Sequence, residues 1–198
     1  MKNGTLLAAI DLGSNSFRLE ICRFNNGLFH RYEYLKEAVR QGSGLDQDRN
    51  LSLSSMERGW ECLARFAERL SGFEPSQVRA VATQTLREAR NAKLFLDKAN
   101  RILGYPIEVV SGREEARLIY QGVAHLLPIS NKRRLVIDIG GRSTEFVIGK
   151  NKEALQLESY RIGSVASSMK YFSTGDLSAA SFQKAEIAAK AILDEALP

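Results

Sequence analysis

The sequence holds no apolar run of membrane-spanning length, and the longest run near its start, Leu6–Ile10, stops at Asp11. That excludes the pattern of a secretory core or a spanning helix, so a cytoplasmic protein with no membrane partner is the expectation. Cysteine is nearly absent: Cys22 and Cys62 have neither CxxC nor zinc-finger spacing, which rules out a disulfide framework and leaves two small core residues in a reducing compartment. His30 and His125 stand alone, so a histidine-based metal cluster is excluded as well. Aromatics make up 8% of the chain and are not interleaved with basic residues as in the common RNA-binding modules.

What is there is ordinary for a globular protein: 44% hydrophobic and 26% charged residues over 198 positions, enough for one large or two small cores. A net charge of +5 favours a polyanionic partner, either nucleic acid or a phosphate-rich small molecule. Without an RNA-binding signature, nucleic acid is the weaker of the two.

Along the chain, "LLAAID", "SFRLEICRF" and "LFHRYEYL" read as a three-stranded meander, with Asn25-Asn26-Gly27 turning between the last two. Ser54 and Glu57 have capping-box spacing for a helix to about Leu70, with Met56, Trp60, Leu63 and Ala67 on one face. "VRAVAT" reads as a strand, "LREARNAKLFLDKANRIL" as mostly helix, and "PIEVV" as another strand. A helix is expected from Ser111 to about Leu127, closed by Pro128. A second meander then begins with "RRLVIDIG", "STEFVIG" and "LESYRIG", followed by helical "SVASSMKYF" and "SAASFQKAEIAAKAILDEAL". Meanders alternating with helices indicate an α/β fold with a mixed sheet.

A step of 127 residues, from Asp11 to Asp138, lays Ile10-Asp11-Leu12-Gly13 over Ile137-Asp138-Ile139-Gly140 and Ser16 over Ser143. Repetition of a strand, Asp, apolar, Gly, turn, strand unit points to two related lobes; lobes facing across a pseudo-two-fold axis would bring Asp11 and Asp138 to one cleft. Glycines that admit backbone N–H groups, hydroxyl donors and an Asp at a strand end suit a phosphate held with a divalent cation. A single copy would read as a hairpin satisfying its own turn; two copies in phase favour the phosphate reading.

Among the acids, Glu114 is three residues after Ser111 and reads as the second half of a capping box. Glu115 shares a helical stripe with Leu118, Ile119, Gly122 and Leu126, whereas Glu114 shares one with Arg117, Gln121 and His125. An acid on an apolar stripe either faces a cleft or is buried at a cost, which makes Glu115 the candidate general base toward an attacking water. Glu145, just past the second turn, is the next candidate for orienting water or metal. Thr83, Thr85 and Arg87 sit where a strand passes into a helix, with Arg87 better placed than Arg90 to hold an anion.

Four segments in order, "DLGSNSFRL", "ATQTLREARN", "SGREEARLIYQGV" and "VIDIGGRSTEF", resemble the exopolyphosphatase and guanosine pentaphosphate phosphatase family, whose lobes are of the actin, Hsp70 and sugar kinase (ribonuclease H-like) type. The resemblance implies a first lobe over 1–127, complete, and a second over 128–198 that stops short of a full set of elements. It implies Mg²⁺-dependent hydrolysis of the terminal phosphoanhydride of inorganic polyphosphate, taken as the first reading, or of the 5′-terminal phosphate of guanosine pentaphosphate. A non-catalytic polyanion-binding fragment, or a kinase of the same superfamily, would be the reading from another class. Carried over residue by residue, the resemblance makes Glu115, Asp138 and Glu145 catalytic, gives Asp138 and Glu145 metal roles, and puts phosphate contacts on Gly13, Ser14, Asn15, Ser16 and Arg87. The turns themselves add Asp11 as a metal candidate and Gly140, Gly141, Arg142, Ser143 and Thr144 as phosphate contacts; a homodimer of the full-length form is also expected. Arg142 departs from the family's small residue there: it would add a phosphate contact or narrow the cleft, and would be strained if the turn needed φ > 0.

Overall fold

A computed structural model describes residues 1–194, so the last three residues of the expected C-terminal helix, 195–197, lie outside it. The chain divides into two compact units between Val109 and Val110.

The first unit carries a five-stranded sheet: β1 Leu6–Leu12, β2 Phe17–Asn25, β3 Leu28–Glu37, β4 Val78–Ala82 and β5 Ile107–Val109, in the order β3-β2-β1-β4-β5. β1, β2 and β3 pair antiparallel, and β4 and β5 add in parallel, which makes the mixed sheet expected from the meander and the crossovers. Asn26 and Gly27 both have positive φ, 51° and 81°, the requirement of the tight hairpin turn between β2 and β3. Alternate residues Ala8, Ile10 and Leu12 on β1 and Phe17, Leu19 and Ile21 on β2 form one buried face. Covering it are α1 (Leu53–Arg69), through Met56, Trp60, Leu63 and Phe66, and α3 (Ala92–Leu103), through Phe95, Ala99 and Leu103. The Trp60 ring stacks on Phe95 at 5.9 Å, and its indole N–H donates to the Phe95 carbonyl. A short helix, α2 (Gln84–Glu88), precedes α3, so the stretch read as mostly helix holds two helices separated at Ala89–Asn91.

The cap of α1 differs from the Ser54/Glu57 capping box. Ser52 is the N-cap and its hydroxyl accepts from the Ser55 N–H at 3.3 Å. The reason is tertiary: Ser55 is buried against a 3-10 turn, Gln41–Gly44, and donates its hydroxyl to the Gln41 carbonyl. Cys62 is buried in the core, and burial, with Glu37 nearby, pushes its thiol pKa up to about 12.

Gln41 is fully buried, and among the described residues only its side-chain amide is buried with neither polar atom bonded. Each unmet group costs roughly 1–3 kcal/mol. Replacing Gln41 with Leu, of similar volume, is therefore expected to raise unfolding free energy by about 1–3 kcal/mol, read as a higher urea midpoint at constant m. A variant no more stable than the parent would show that the amide is satisfied.

The second unit begins with α4 (Gly112–Leu126), then β6 Arg133–Ile139, β7 Thr144–Lys150 and β8 Glu153–Tyr160 in an antiparallel sheet, then α5 (Ser164–Tyr171) and α6 (Ala179–Asp194). α4 packs on this sheet through Ala116, Tyr120 and Ala124, against Val147 and the half-buried Val136, Ala154 and Leu157. The unit boundary thus precedes α4, earlier than the 127/128 division read from the sequence. The buried stripe also differs from the expected Leu118, Ile119, Gly122 and Leu126; Leu126 is exposed. Gly149 decides the matter, since a Cβ there would lie 2.1 Å from Tyr120 Cζ. The bare glycine makes room for the ring, whose hydroxyl donates to the Asn151 carbonyl at 3.1 Å. On the opposite face of the sheet, Ile137 is 47% exposed where its repeat counterpart Ile10 is 1% exposed.

Candidate active site

The two glycine turns are one structure used twice. A Cβ on Gly13 would lie 2.9 Å from the Ser16 carbonyl oxygen, and a Cβ on Gly140 would lie 2.9 Å from that of Ser143. Neither glycine has positive φ, so close backbone approach, and not a left-handed conformation, demands glycine at both. Ser16 and Ser143 are buried at matching positions. Arg142 also lies outside the positive-φ residues, and the turn holds it without backbone strain.

In the first unit the turn is strapped from two sides. The Arg40 and Gly42 N–H groups donate to the Asn15 and Ser14 carbonyls at 2.8 and 2.7 Å. Thr85 donates its hydroxyl to the Ser14 hydroxyl at 2.8 Å, and the Thr83 N–H donates to the Leu12 carbonyl. These bonds bring Gly13, Ser14, Asn15, Ser16 and the α2 segment that carries Arg87 together. In the second unit, the Gly140 N–H donates to the Ser143 carbonyl at 2.9 Å, and Thr144 donates its hydroxyl to the Ile162 carbonyl at 2.7 Å. The first turn of α5 donates back: Ser164 N–H to the Gly140 carbonyl, Val165 and Ala166 N–H to that of Gly141.

The repeat is broken at one functionally telling place. Asp11 faces Arg18 across β1 and β2, and its Oδ2 accepts from Arg18 at 3.0 Å. In the same register Asp138 faces Glu145. Two carboxylates directly opposite repel and attract a cation between them, and hard oxygen donors in a pair suit Mg²⁺, which is usually held by one or two carboxylates together with substrate phosphates. Asp11, already paired with a guanidinium, fits a metal less well than the sequence reading supposed. No three His, Cys, Asp or Glu side chains gather into a metal cluster among the described residues, so the pair Asp138/Glu145 is the whole of the fit.

Glu145 is only 1% exposed and its Oε1 accepts from the Ser159 hydroxyl at 2.8 Å. Val136 and Asp138 share a face of β6, as Glu145 and Val147 do on β7, and this is the face that α4 covers. Tyr120 lies over the Gly149–Asn151 end, while Arg113 donates to the Leu157 carbonyl and pairs with Glu158 at the other. The N-terminal turn of α4, with half-buried Glu115, therefore stands at the same end of the same face as Asp138 and Glu145. Glu114 is engaged otherwise: its N–H donates to the Ser111 hydroxyl at 3.1 Å, and both carboxylate oxygens accept from Arg117 at 2.7 Å. That bond raises the Arg117 pKa.

Sequence reasoning missed Ser159, which holds Glu145, and Gln84, which holds Arg87; neither belongs to a glycine motif. Gly163 was legible only as a glycine before a helix, a weak signal of the close contact it makes with the second turn.

The duplicated strand-turn-strand unit beside a mixed sheet defines the actin-like class of folds, seen by fold alone in a type IV pilus PilM–PilN complex, 13% identical with a TM-score of 0.54 over 97% of this chain and 74% of that one. The model of the Ppx/GppA phosphatase family matches residues 21–197, and the chain belongs to that family. A guanosine-5′-triphosphate,3′-diphosphate pyrophosphatase of Vibrio cholerae is 48% identical over 97% of this chain and 38% of its own. The chain thus spans well under half the length of the curated relatives it matches. An exopolyphosphatase from Cytophaga hutchinsonii is 31% identical with a TM-score of 0.75, over 80% of this chain and 51% of that one. An Aquifex aeolicus Ppx/GppA enzyme is 28% identical with a TM-score of 0.77, over 98% and 64%. No helix among the described residues is long and apolar enough to cross a membrane.

Proposed function

We propose that the protein is the site-bearing part of a phosphohydrolase that removes the 5′-terminal phosphate of guanosine pentaphosphate. What supports this reading is the pair Asp138 and Glu145, directly opposite on one sheet face beside a glycine turn, with the N-terminal turn of α4, which carries Glu115, at the same end of that face. Water attacks the terminal phosphorus and gives its proton to the Glu115 carboxylate; the bond to the bridging oxygen breaks, and the nucleotide leaves with that electron pair. Asp138 and Glu145 would hold Mg²⁺, which when bound neutralises developing phosphate charge. Ser159 keeps Glu145 in place. Each turn taken by itself, residues 13–16 with Arg87 in the first unit and residues 140–144 in the second, offers N–H groups and hydroxyls suited to phosphate oxygens.

The choice of substrate reverses the order read from the sequence, where inorganic polyphosphate came first. Curated relatives at 48–49% identity carry the guanosine pentaphosphate name. The polyphosphate reading is kept as the second, because one structural neighbour named an exopolyphosphatase is 31% identical and one named exopolyphosphatase-like is 30% identical. Phosphate release from guanosine pentaphosphate should require Mg²⁺ and stop with EDTA. Long-chain polyphosphate should compete weakly; if it is the faster substrate in a mixed assay, the second reading takes over. Release insensitive to EDTA would remove the metal role of Asp138 and Glu145.

A further inference from the structure

One end of the second unit carries most of the chain's net charge. The connections between α4 and β6, 127–134, and between β7 and β8, 150–153, hold five of the 28 Lys and Arg residues but one of the 23 Asp and Glu residues, Glu153, so +4 of the net +5 is gathered there. Lys132, Arg133, Lys150 and Lys152 are exposed, and among the described residues no ion pair joins them or the half-buried Arg134 to a carboxylate. Arg133 and Lys150 stand directly opposite on β6 and β7, a like-charge pairing that costs stability until an anion relieves it. The two connections are tied together: the Ser130 N–H donates to the Asn151 Oδ1 at 3.0 Å, and the Arg134 Nη2 donates to the Pro128 carbonyl. Beside the cations, Leu126 is 86% and Ile129 84% exposed, with Leu127 exposed between them.

We propose that this end of the second unit docks on an anionic lipid surface, with Leu126 and Ile129 entering the boundary between headgroups and acyl chains and the lysines and arginines meeting the lipid phosphates. Exposed aliphatic side chains set among cations without carboxylate partners suit that boundary on both counts. Single-stranded nucleic acid is held largely by stacking on aromatic side chains, and neither connection contains one. No helix among the described residues is long and apolar enough to cross a membrane; a surface contact needs none. The patch lies away from the carboxylate pair: Arg133 and Lys150 are five residues along their strands from Asp138 and Glu145, roughly 17 Å. The proposal therefore stands apart from the phosphohydrolase reading.

The test is sedimentation of the 198-residue chain with vesicles of phosphatidylcholine alone or mixed with phosphatidylglycerol, at about 0.05 M and about 0.5 M salt. The parent is expected to pellet with the mixed vesicles only, and to lose most of that binding at the higher salt. Lys132→Gln/Lys150→Gln/Lys152→Gln should bind about a hundredfold more weakly, at about fivefold per cation, and Leu126→Ser/Ile129→Ser about tenfold or more. Equal binding to both kinds of vesicle, or binding to neither, overturns the proposal. So does a Leu126→Ser/Ile129→Ser variant that binds like the parent, which would leave a plain anion patch. Binding of a single-stranded RNA oligonucleotide, lost with the three lysines while mixed vesicles are ignored, assigns the cations to nucleic acid instead. The substituted side chains are all exposed, and melts recorded alongside identify any variant that fails to fold; the lipid and salt dependence of the parent then decides alone.

Discussion

Glu115→Gln is expected to lower phosphate release from guanosine pentaphosphate by about 10²–10⁴-fold while leaving substrate affinity within a few fold. The amide keeps the size and the hydrogen-bonding reach of the side chain but cannot take a proton from water. Its neighbour is the internal control. Glu114 takes no proton from the reacting water in this reading and spends both carboxylate oxygens on Arg117, so Glu114→Gln should weaken that half-exposed ion pair and largely keep turnover. The measurement is kcat and KM for the two variants with matched melting curves. Equal loss of kcat in both, or a Glu115→Gln enzyme that turns over normally, would dismiss Glu115 as the base and move attention to Glu145.

Gly163→Ala is expected to unfold the second glycine turn locally and to destabilise the second unit by about 3 kcal/mol or more. An added Cβ would lie 2.4 Å from the Arg142 nitrogen, 2.5 Å from the Gly141 carbonyl carbon and 2.6 Å from the Arg142 Cα. All three are backbone atoms, so no side chain can swing aside. Relief requires α5 to move off the turn, which breaks the bonds from Val165 and Ala166 to Gly141 and from Ser164 to Gly140. The φ of Gly163, −160°, is open to any residue, which makes the effect one of contact and not of conformational preference. Gly122→Ala is the comparison: a Cβ there meets nothing within 4 Å, and in a helix interior Ala should stabilise by about 0.5–1 kcal/mol. Chemical denaturation of both variants reads the opposite signs; loss of anion binding in Gly163→Ala alone would link the turn to the ligand.

Much of the architecture was legible because it is written locally. Alternating apolar residues placed β1 to β8, an Asn-Gly turn closed the first hairpin, and the 127-residue repeat of Ile-Asp-apolar-Gly marked the two turns that the structure builds identically. Arg142 shows a limit of such reading. Its bulk beside two glycines suggested strain, but Gly140 is there to let the chain approach a carbonyl, and that demand does not extend to position 142. The helix cap is another: two serines, Ser52 and Ser54, could each begin α1, and only the burial of Ser55 against Gln41 selects Ser52.

By itself the sequence determined the order of elements and the repeat, since each depends on neighbours within a few residues or on plain self-similarity. Tertiary structure alone decided which stripe of α4 is buried, because a helix with apolar residues on adjacent stripes has no preference until a partner surface offers a gap. Gly149 offers it to Tyr120. That choice sets the N-terminal turn of α4, which carries Glu115, at the end of the sheet where Asp138 and Glu145 stand, and the pairing of β7 with β8 sets Ser159 to hold Glu145, a role that no motif assigned to it.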